Sequence, residues 1–393
     1  MKIANLILVI ILLTIMTECN GNIQSNNELI KVDVSKSSYH KKELILQDFM
    51  DVEYVPLETT DSFINQGFIQ AVGKNFILLK NRNPDGDIFV YDRTGKALRK
   101  INHKGQGNGE YTNIFNITLD EGKEEMFIND IFTKKILVYD ICGKFKRSFN
   151  QKVNADEMAY RDIFNFDRDN LICYDQFNKE IAFFLISKQD GNITKEIKIP
   201  FKEKKSLTHQ FIDKVNNTTF TVGPGPYSSI IPYYNDNWIL SEISSDTVYT
   251  IFPDYNLHPF IAKTPSIQSM NPEVFLILRL LSSRYYLMES IKNVYDSNTN
   301  DKFPKTFIMY DREEKTMFNY TVYNGDFLNK EEIHMDMTRP INHEIESWYP
   351  LDANQLVESY KKGELKGKLK EIASKLKEDD NPVIMLIKHK NKG

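Results

Sequence analysis

Gly105-Gln-Gly-Asn-Gly-Glu-Tyr111 sets three alternating glycines before an acid and a phenol. A loop that cradles phosphate needs a helix directly after it, so that backbone N–H groups converge on the anion. Ile114–Leu119 reads as a strand instead, so the glycines are better explained as a tight crossing between structural units. Glu110 then either satisfies backbone N–H groups or lines a channel, and the first reading is preferred. A second glycine-rich stretch, Gly223-Pro-Gly-Pro226, can only be a loop. It is followed by Tyr227 and, a few residues on, by Tyr233. Rings placed there could meet a sugar or a peptide, although packing between structural units is the commoner fate of such side chains. Glu110, Tyr111, Tyr227 and Tyr233 are therefore the candidate ligand-binding residues. No residue is a candidate for catalysis.

The other groups offer less. Tyr-Asp pairs at 91–92, 139–140 and 310–311 place an acid after each apolar run. Such an Asp caps the N–H groups of its own turn more often than it joins a ring of carboxylates. The seven histidines are scattered, and none forms the helical i, i+4 pair of a zinc site. No cofactor is expected from motifs. Calcium or zinc could still be held in a central channel by side chains that only the fold would assemble. There is no G-x-S-x-G elbow, and Ser228-Ser229 reads as loop. Cys142 and Cys173 are too few for a disulfide framework, although a bridge between them is open to an exported protein. A net charge of −4 with both signs interspersed presents no basic face, which argues against nucleic acid as a partner.

What must position these residues is a repeated hairpin. Ile88 to Asn102 recurs as Ile136 to Asn150 at an offset of 48 residues, with eight of fifteen positions identical. Each copy is an apolar strand ending in Tyr-Asp, a turn closed by Gly-Lys, and a second strand. A unit of this size repeated at this interval is a propeller blade. An aromatic content of 12% supports strands throughout. Short strands separated by turn residues continue to Val383–Ile387, enough for six blades. Phe220–Val222 falls to the fourth of them, with Ile230–Tyr233, Trp238–Ile243, Thr247–Phe252 and Leu257–Ile261. Asn271 to Leu281 reads as a short buried helix, with Pro272 at its first turn. Leu356, Tyr360, Leu369, Ile372 and Leu376 outline one or two amphipathic helices outside the last blade. Ring closure calls for a strand from each terminus in one sheet, and Leu29–Val34 with Val383–Ile387 are the expected pair.

The chain opens with Met1-Lys2 and an apolar run to Ile15, too short for a membrane span of about 20 residues and typical of a secretory leader. Cys19 stands where a lipoprotein is acylated, although Glu18 occupies a position usually taken by a small residue. The expected organisation is a signal peptide over 1–19, a flexible tether over 20–28 and a propeller over 29–393.

Four segments together resemble a known group. Asp51-Val-Glu-Tyr-Val-Pro-Leu-Glu-Thr-Thr60 looks like its opening strand, and Lys104 to Tyr111 like its most recognisable loop, with Asn108 where Pro is usual. Ser245-Asp-Thr-Val-Tyr249 is similar to its middle-blade strand, and Asp379-Asp-Asn-Pro-Val383 to its closing segment. The group is the six-bladed β-propeller lipoproteins of gut anaerobes, which are NHL-like in architecture. The resemblance implies an exported, lipid-anchored protein of the periplasm or outer membrane, touching the membrane through its anchor alone. The expected fold is all-β, a six-bladed propeller closed by N- and C-terminal strands, with a short helical insertion near the C-terminus. The expected function is a non-catalytic binding module for a saccharide, a peptide or an envelope protein. The alternative is a metal-dependent hydrolase or lyase using the channel.

Overall fold

The computed structural model describes residues 29–152, 160–213, 216, 218–233, 236–298 and 302–390. The leader, Cys19 and the tether lie outside the described residues. Blades 1 to 3 are each built from four consecutive antiparallel strands. In blade 1 these are Phe68–Val72, Phe76–Lys80, Asp87–Asp92 and Ala97–Asn102, from the channel outward. Blade 2 spans Asn116–Asn150 and blade 3 spans Asp162–Ile197 in the same order.

Strand side chains alternate between the two faces, and both faces of a blade are covered by neighbours. Ile77 and Leu79 pack towards blade 6, whereas Leu78 between them packs towards blade 2. This is why the inner strands read as unbroken apolar runs. Six hydrophobic clusters result, one at each junction between adjacent blades, including the junction of blade 6 with blade 1. A cluster at every junction means the ring is closed.

The repeated Tyr-Asp turns behave as their chemistry requires. Asp92 Oδ1 accepts hydrogen bonds from the backbone N–H groups of Thr94 and Lys96 at 2.8 and 3.1 Å. Asp140 Oδ1 does the same for Cys142 and Lys144, both at 2.9 Å. Gly95 and Gly143 follow at φ +88° and +92°. Cys142 and Cys173 are both free thiols, the second buried between blades 2 and 3.

Blades 4 to 6 share an N-terminal strap. Ile30–Asp33 adds a parallel fifth strand to the outside of blade 4, beside Leu257–Thr264. Lys41–Ile45 adds a parallel fifth strand to blade 5, beside Thr316–Tyr323. Met50–Pro56 then pairs antiparallel with Val383–His389 to complete blade 6. Closure by strands from both termini is as expected, but the partner differs. Leu29–Val34 does not meet the C-terminal strand, because its alternation buries one face only and suits an outer edge. Met50–Pro56 has Tyr54 and Val55 buried on opposite faces, as a position between two blades demands.

The helix expected over 271–281 is a strand, Val274–Leu281, innermost in blade 5. A strand buried on both faces and a buried helix present the same continuous apolar run, and periodicity does not separate them. Phe220–Val222 is not part of blade 4. Thr218–Val222 pairs with His209–Asp213 in a separate hairpin. The two amphipathic helices form, Ala353–Lys361 and Gly367–Ala373, inserted between Ile345–Leu351 and Val383–His389 of blade 6. Leu356, Leu369 and Ile372 seal the junction of blades 5 and 6.

Candidate functional site

The innermost strands of blades 1 to 4 begin at one face of the ring, that of blade 6, Ile345–Leu351, ends there, and at this face the channel opens into a cavity of about 1070 Å³. The chain enters the blade 4 strand Ile230–Pro232 through Gly223–Ser229, and this loop forms one wall. Arg279, on the innermost strand of blade 5, donates from Nη1 to the Pro226 carbonyl at 2.6 Å and from Nε to Glu289 at 2.6 Å. Arg161 of blade 3 donates to the Tyr227 carbonyl at 3.1 Å, and its guanidinium lies 3.6 Å from the Tyr227 ring centroid. Next to it, Asp162 accepts from the Ser229 N–H at 2.7 Å and the Ser228 hydroxyl at 3.3 Å. Burial pushes the Asp162 carboxyl above its usual range, against the pull of Arg161. Two arginines and one aspartate thus fix a loop whose glycines and prolines alone would leave its ring unpositioned.

The opposite wall, from blades 1 and 6, carries a cluster of positive charge. Lys80 Nζ, Arg82 Cζ and Arg339 Cζ lie 5.4, 5.9 and 5.2 Å from the centroid of one ring, Phe68, which meets Trp348 edge-on at 5.7 Å. Among the described residues no carboxylate forms an ion pair with any of the three. The nearby acids are engaged elsewhere. Asp85 binds Asn81 and the Asp87 N–H, and Asp162 binds the serines. On the outer rim Glu378 pairs with Lys361, and Asp380 accepts the Lys377 N–H. Burial and then Arg339 hold the Lys80 ammonium below its ordinary range. Arg339 is itself lowered by burial and by Arg161, Arg82 and Arg279, with Asp162 opposing. An arginine keeps its proton regardless, so the repulsion persists. Side-chain amides complete the lining, Gln66, Gln70, Asn113 and Asn116 among them, and Asn116 Oδ1 has no protein partner.

The family model of a domain of unknown function, DUF4934, matches residues 29–388. The chain belongs to the DUF4934 family. No curated protein matches it. Among solved structures, this DUF4934 chain is similar to the BF0058 protein of Bacteroides fragilis, described as a "putative exported protein". The two are 16% identical, with 89% of this chain and 99% of that one covered and a TM-score of 0.60. A DUF4221 family member from Bacteroides vulgatus is 13% identical over 87% of this chain and 98% of its own, with a TM-score of 0.48. Virginiamycin B lyase from Staphylococcus aureus is 11% identical over 86% and 99%, with a TM-score of 0.36. At such identities the likeness to BF0058 speaks for the propeller fold alone.

The residues singled out from sequence do not form one site in this DUF4934 propeller. Tyr227 lines the mouth. Tyr233 lies just beyond the far end of the strand Ile230–Pro232, its hydroxyl 2.9 Å from that of Tyr286, among the side chains joining blades 4 and 5. Tyr111 is fully buried and donates to the Gly86 carbonyl at 2.7 Å, presenting no surface to a ligand. Glu110 accepts the Gly107 N–H at 2.8 Å within its own loop. Among the described residues no three His, Cys, Asp or Glu side chains converge as metal ligands would. Sequence reasoning missed Lys80, Arg82, Arg161 and Arg339. Arg161 shares one signal with Asn116 and Phe68: each stands at or beside the start of a blade's first strand, where the mouth must lie.

Proposed function

We propose that the protein is an exported, non-catalytic binding module that seats a soluble ligand in the wide mouth of its channel. The observation that carries this reading is the cavity itself: about 1070 Å³, open to solvent, with amide, aromatic and charged side chains supplied by several blades. A pocket with a few convergent polar groups on a rigid frame is the usual form of a ligand site. The anchored Tyr227 loop adds preorganisation, which lowers the entropic cost of binding. A saccharide or a short peptide fits these dimensions.

Export is supported by the apolar leader, and attachment through Cys19 by the position of that cysteine at the leader's end. The periplasm or the outer membrane would then hold the protein. Mass spectrometry of membrane-extracted protein tests the anchor: an acylated Cys19 is expected, and an unmodified N-terminus downstream of it rules the anchor out. For the site, oligosaccharides and peptides are screened by thermal shift, since a ligand selective for the native state raises Tm. A ligand weakened at least tenfold by Tyr227→Ala and by Asn116→Ala is the expected result. Ligands that bind with full affinity to both variants would place the site elsewhere.

A further inference from the structure

Within the mouth, one feature is unfavourable in the free protein. Lys80, Arg82 and Arg339 converge on the Phe68 ring without a carboxylate partner. Ring faces attract cations, but one face does not neutralise three. Like charges held together in a concave, partly dehydrated wall repel more strongly than they would in open water. A fold keeps such a cluster at a cost to its own stability, and a bound anion would remove that cost. The geometry suits an oxyanion: two guanidinium groups offer planar, paired donors and the ammonium offers a point charge. Beside the cluster, Gln66, Gln70, Asn113 and Asn116 offer donors and acceptors of the kind that meet ring hydroxyls, and the half-buried Tyr227 ring stands at the rim.

We infer that the mouth recognises an acidic saccharide, its carboxylate or sulfate group seated against Phe68 between Lys80, Arg82 and Arg339. This rests on the reading of the mouth as a ligand site. It adds the charge of the ligand and the residues that select it. Amides and the Tyr227 ring beside the cations favour a sugar over an acidic peptide, whose extended backbone would ask for a free strand edge.

Calorimetric titration of the purified protein at low salt with trigalacturonate, galactose 6-sulfate and galactotriose provides the test. At least one anionic probe is expected to bind, with galactotriose at least tenfold weaker. Which anion binds distinguishes carboxylate from sulfate. Lys80→Gln and Arg82→Gln are each expected to weaken the anion at least fivefold and to flatten its salt dependence. A second readout needs no ligand. Arg339→Gln should match or exceed the wild-type Tm at low ionic strength, with the gap closing as salt screens the cluster. Equal binding of galactotriose and trigalacturonate, both lost in Tyr227→Ala, would overturn the anion subsite and leave the binding-module reading standing. Silence from all three probes overturns the acidic-saccharide proposal, and the broader ligand screen then decides separately whether the mouth binds anything. A Tm for Arg339→Gln well below wild type at low salt also counts against it, since it would show the charge already neutralised.

Discussion

Blade 2 and blade 6 occupy equivalent places in one ring but are assembled in different ways. Blade 2 is a single run of chain from Asn116 to Asn150, and its outer strand is tied to its own second strand by Arg147 and Lys146 on Glu125. Blade 6 takes one strand from Met50–Pro56 and two from Ile345–His389, with two helices between them. The same packing rule, apolar side chains on both faces, governs each. The difference lies in what fixes the register. In blade 2 it is a short turn, and in blade 6 it is side-chain packing between segments some 330 residues apart. The second arrangement concentrates closure of the whole ring in one seam.

That contrast predicts where a single change does most damage. Ile384 is fully buried, lies between Pro350 and Val55 in register, and packs with blade 1. Ile384→Asp puts an unpaired charge at the seam and should cost more than about 5 kcal/mol, enough to prevent recovery of folded protein. Leu98→Asp, on the outer strand of blade 1 at 39% exposure, should cost less than about 1 kcal/mol. Soluble yield and urea midpoints check the pair, and similar losses at both would mean the seam is no weaker than the rest.

The duplicated glycines sharpen the comparison further. A Cβ on Gly95 would sit 2.0 Å from the Pro56 carbonyl oxygen, on the backbone of the closing strand. A Cβ on Gly143 meets the Ile101 side chain at 3.0 Å, which can shift. Both share left-handed φ, a strain of about 1–2 kcal/mol for alanine. Gly143→Ala should cost about that much, and Gly95→Ala about 4 kcal/mol, because a backbone atom at the seam must also move. Equal melting temperatures for the two would contradict this.

Blade 2 has a weak point of its own, and it depends on pH. Glu125 is 6% exposed and accepts from Arg147 Nη1 and Nη2 at 2.8 and 2.7 Å. Hydrogen bonds from Arg147, then Lys146, outweigh burial and bring its carboxyl to about 2. A depressed carboxyl stabilises the native state above its unfolded value near 4.5, and the contribution disappears as pH falls through the folded value. Glu125→Gln should therefore cost about 3 kcal/mol at pH 7. Its deficit relative to wild type should shrink between pH 5 and 2 in denaturant titrations. A deficit that stays constant over that range would mean the ion pair is not its source.

How far the sequence could be read follows the same division. The repeated hairpin, the strands of blades 1 to 3 and the Asx turns at Asp92 and Asp140 are local events, and each left its mark within fifteen residues. The strap did not. Lys41–Ile45 gains its place only beside Thr316–Tyr323, and nothing near it in the chain says so. Val274–Leu281 was ambiguous for a different reason, since burial on both faces erases the alternation that marks a strand. At the mouth, Tyr227 was recognisable because its loop could be nothing else. Lys80, Arg82 and Arg339 look like ordinary surface cations until the ring closes and brings blades 1 and 6 to one Phe68. Tyr111 carried the opposite error: a ring beside a glycine loop that the fold spends on packing.

A mild effect is also expected where the strap crosses from blade 5 to blade 6. Tyr54 Oη lies 3.0 Å from Asn324 Oδ1 and 2.8 Å from Asp326 Oδ2. A phenol has one proton, so it donates to only one of these acceptors at a time. Gln47 Nε2 reaches the same two oxygens at 2.7 and 3.2 Å. Removing the hydroxyl therefore leaves neither acceptor without a donor, and the larger cost of an unsatisfied buried group is avoided. Tyr54→Phe should lower stability by only about 1 kcal/mol. Removing Gln47 alone should be similarly mild, because Tyr54 then serves. Tyr54→Phe with Gln47→Ala leaves Asn324 and Asp326 without either donor and should cost more than the two single changes added together. Strict additivity in that double-mutant cycle would show that the two side chains hold the strap independently, and that this crossing has no shared network to lose.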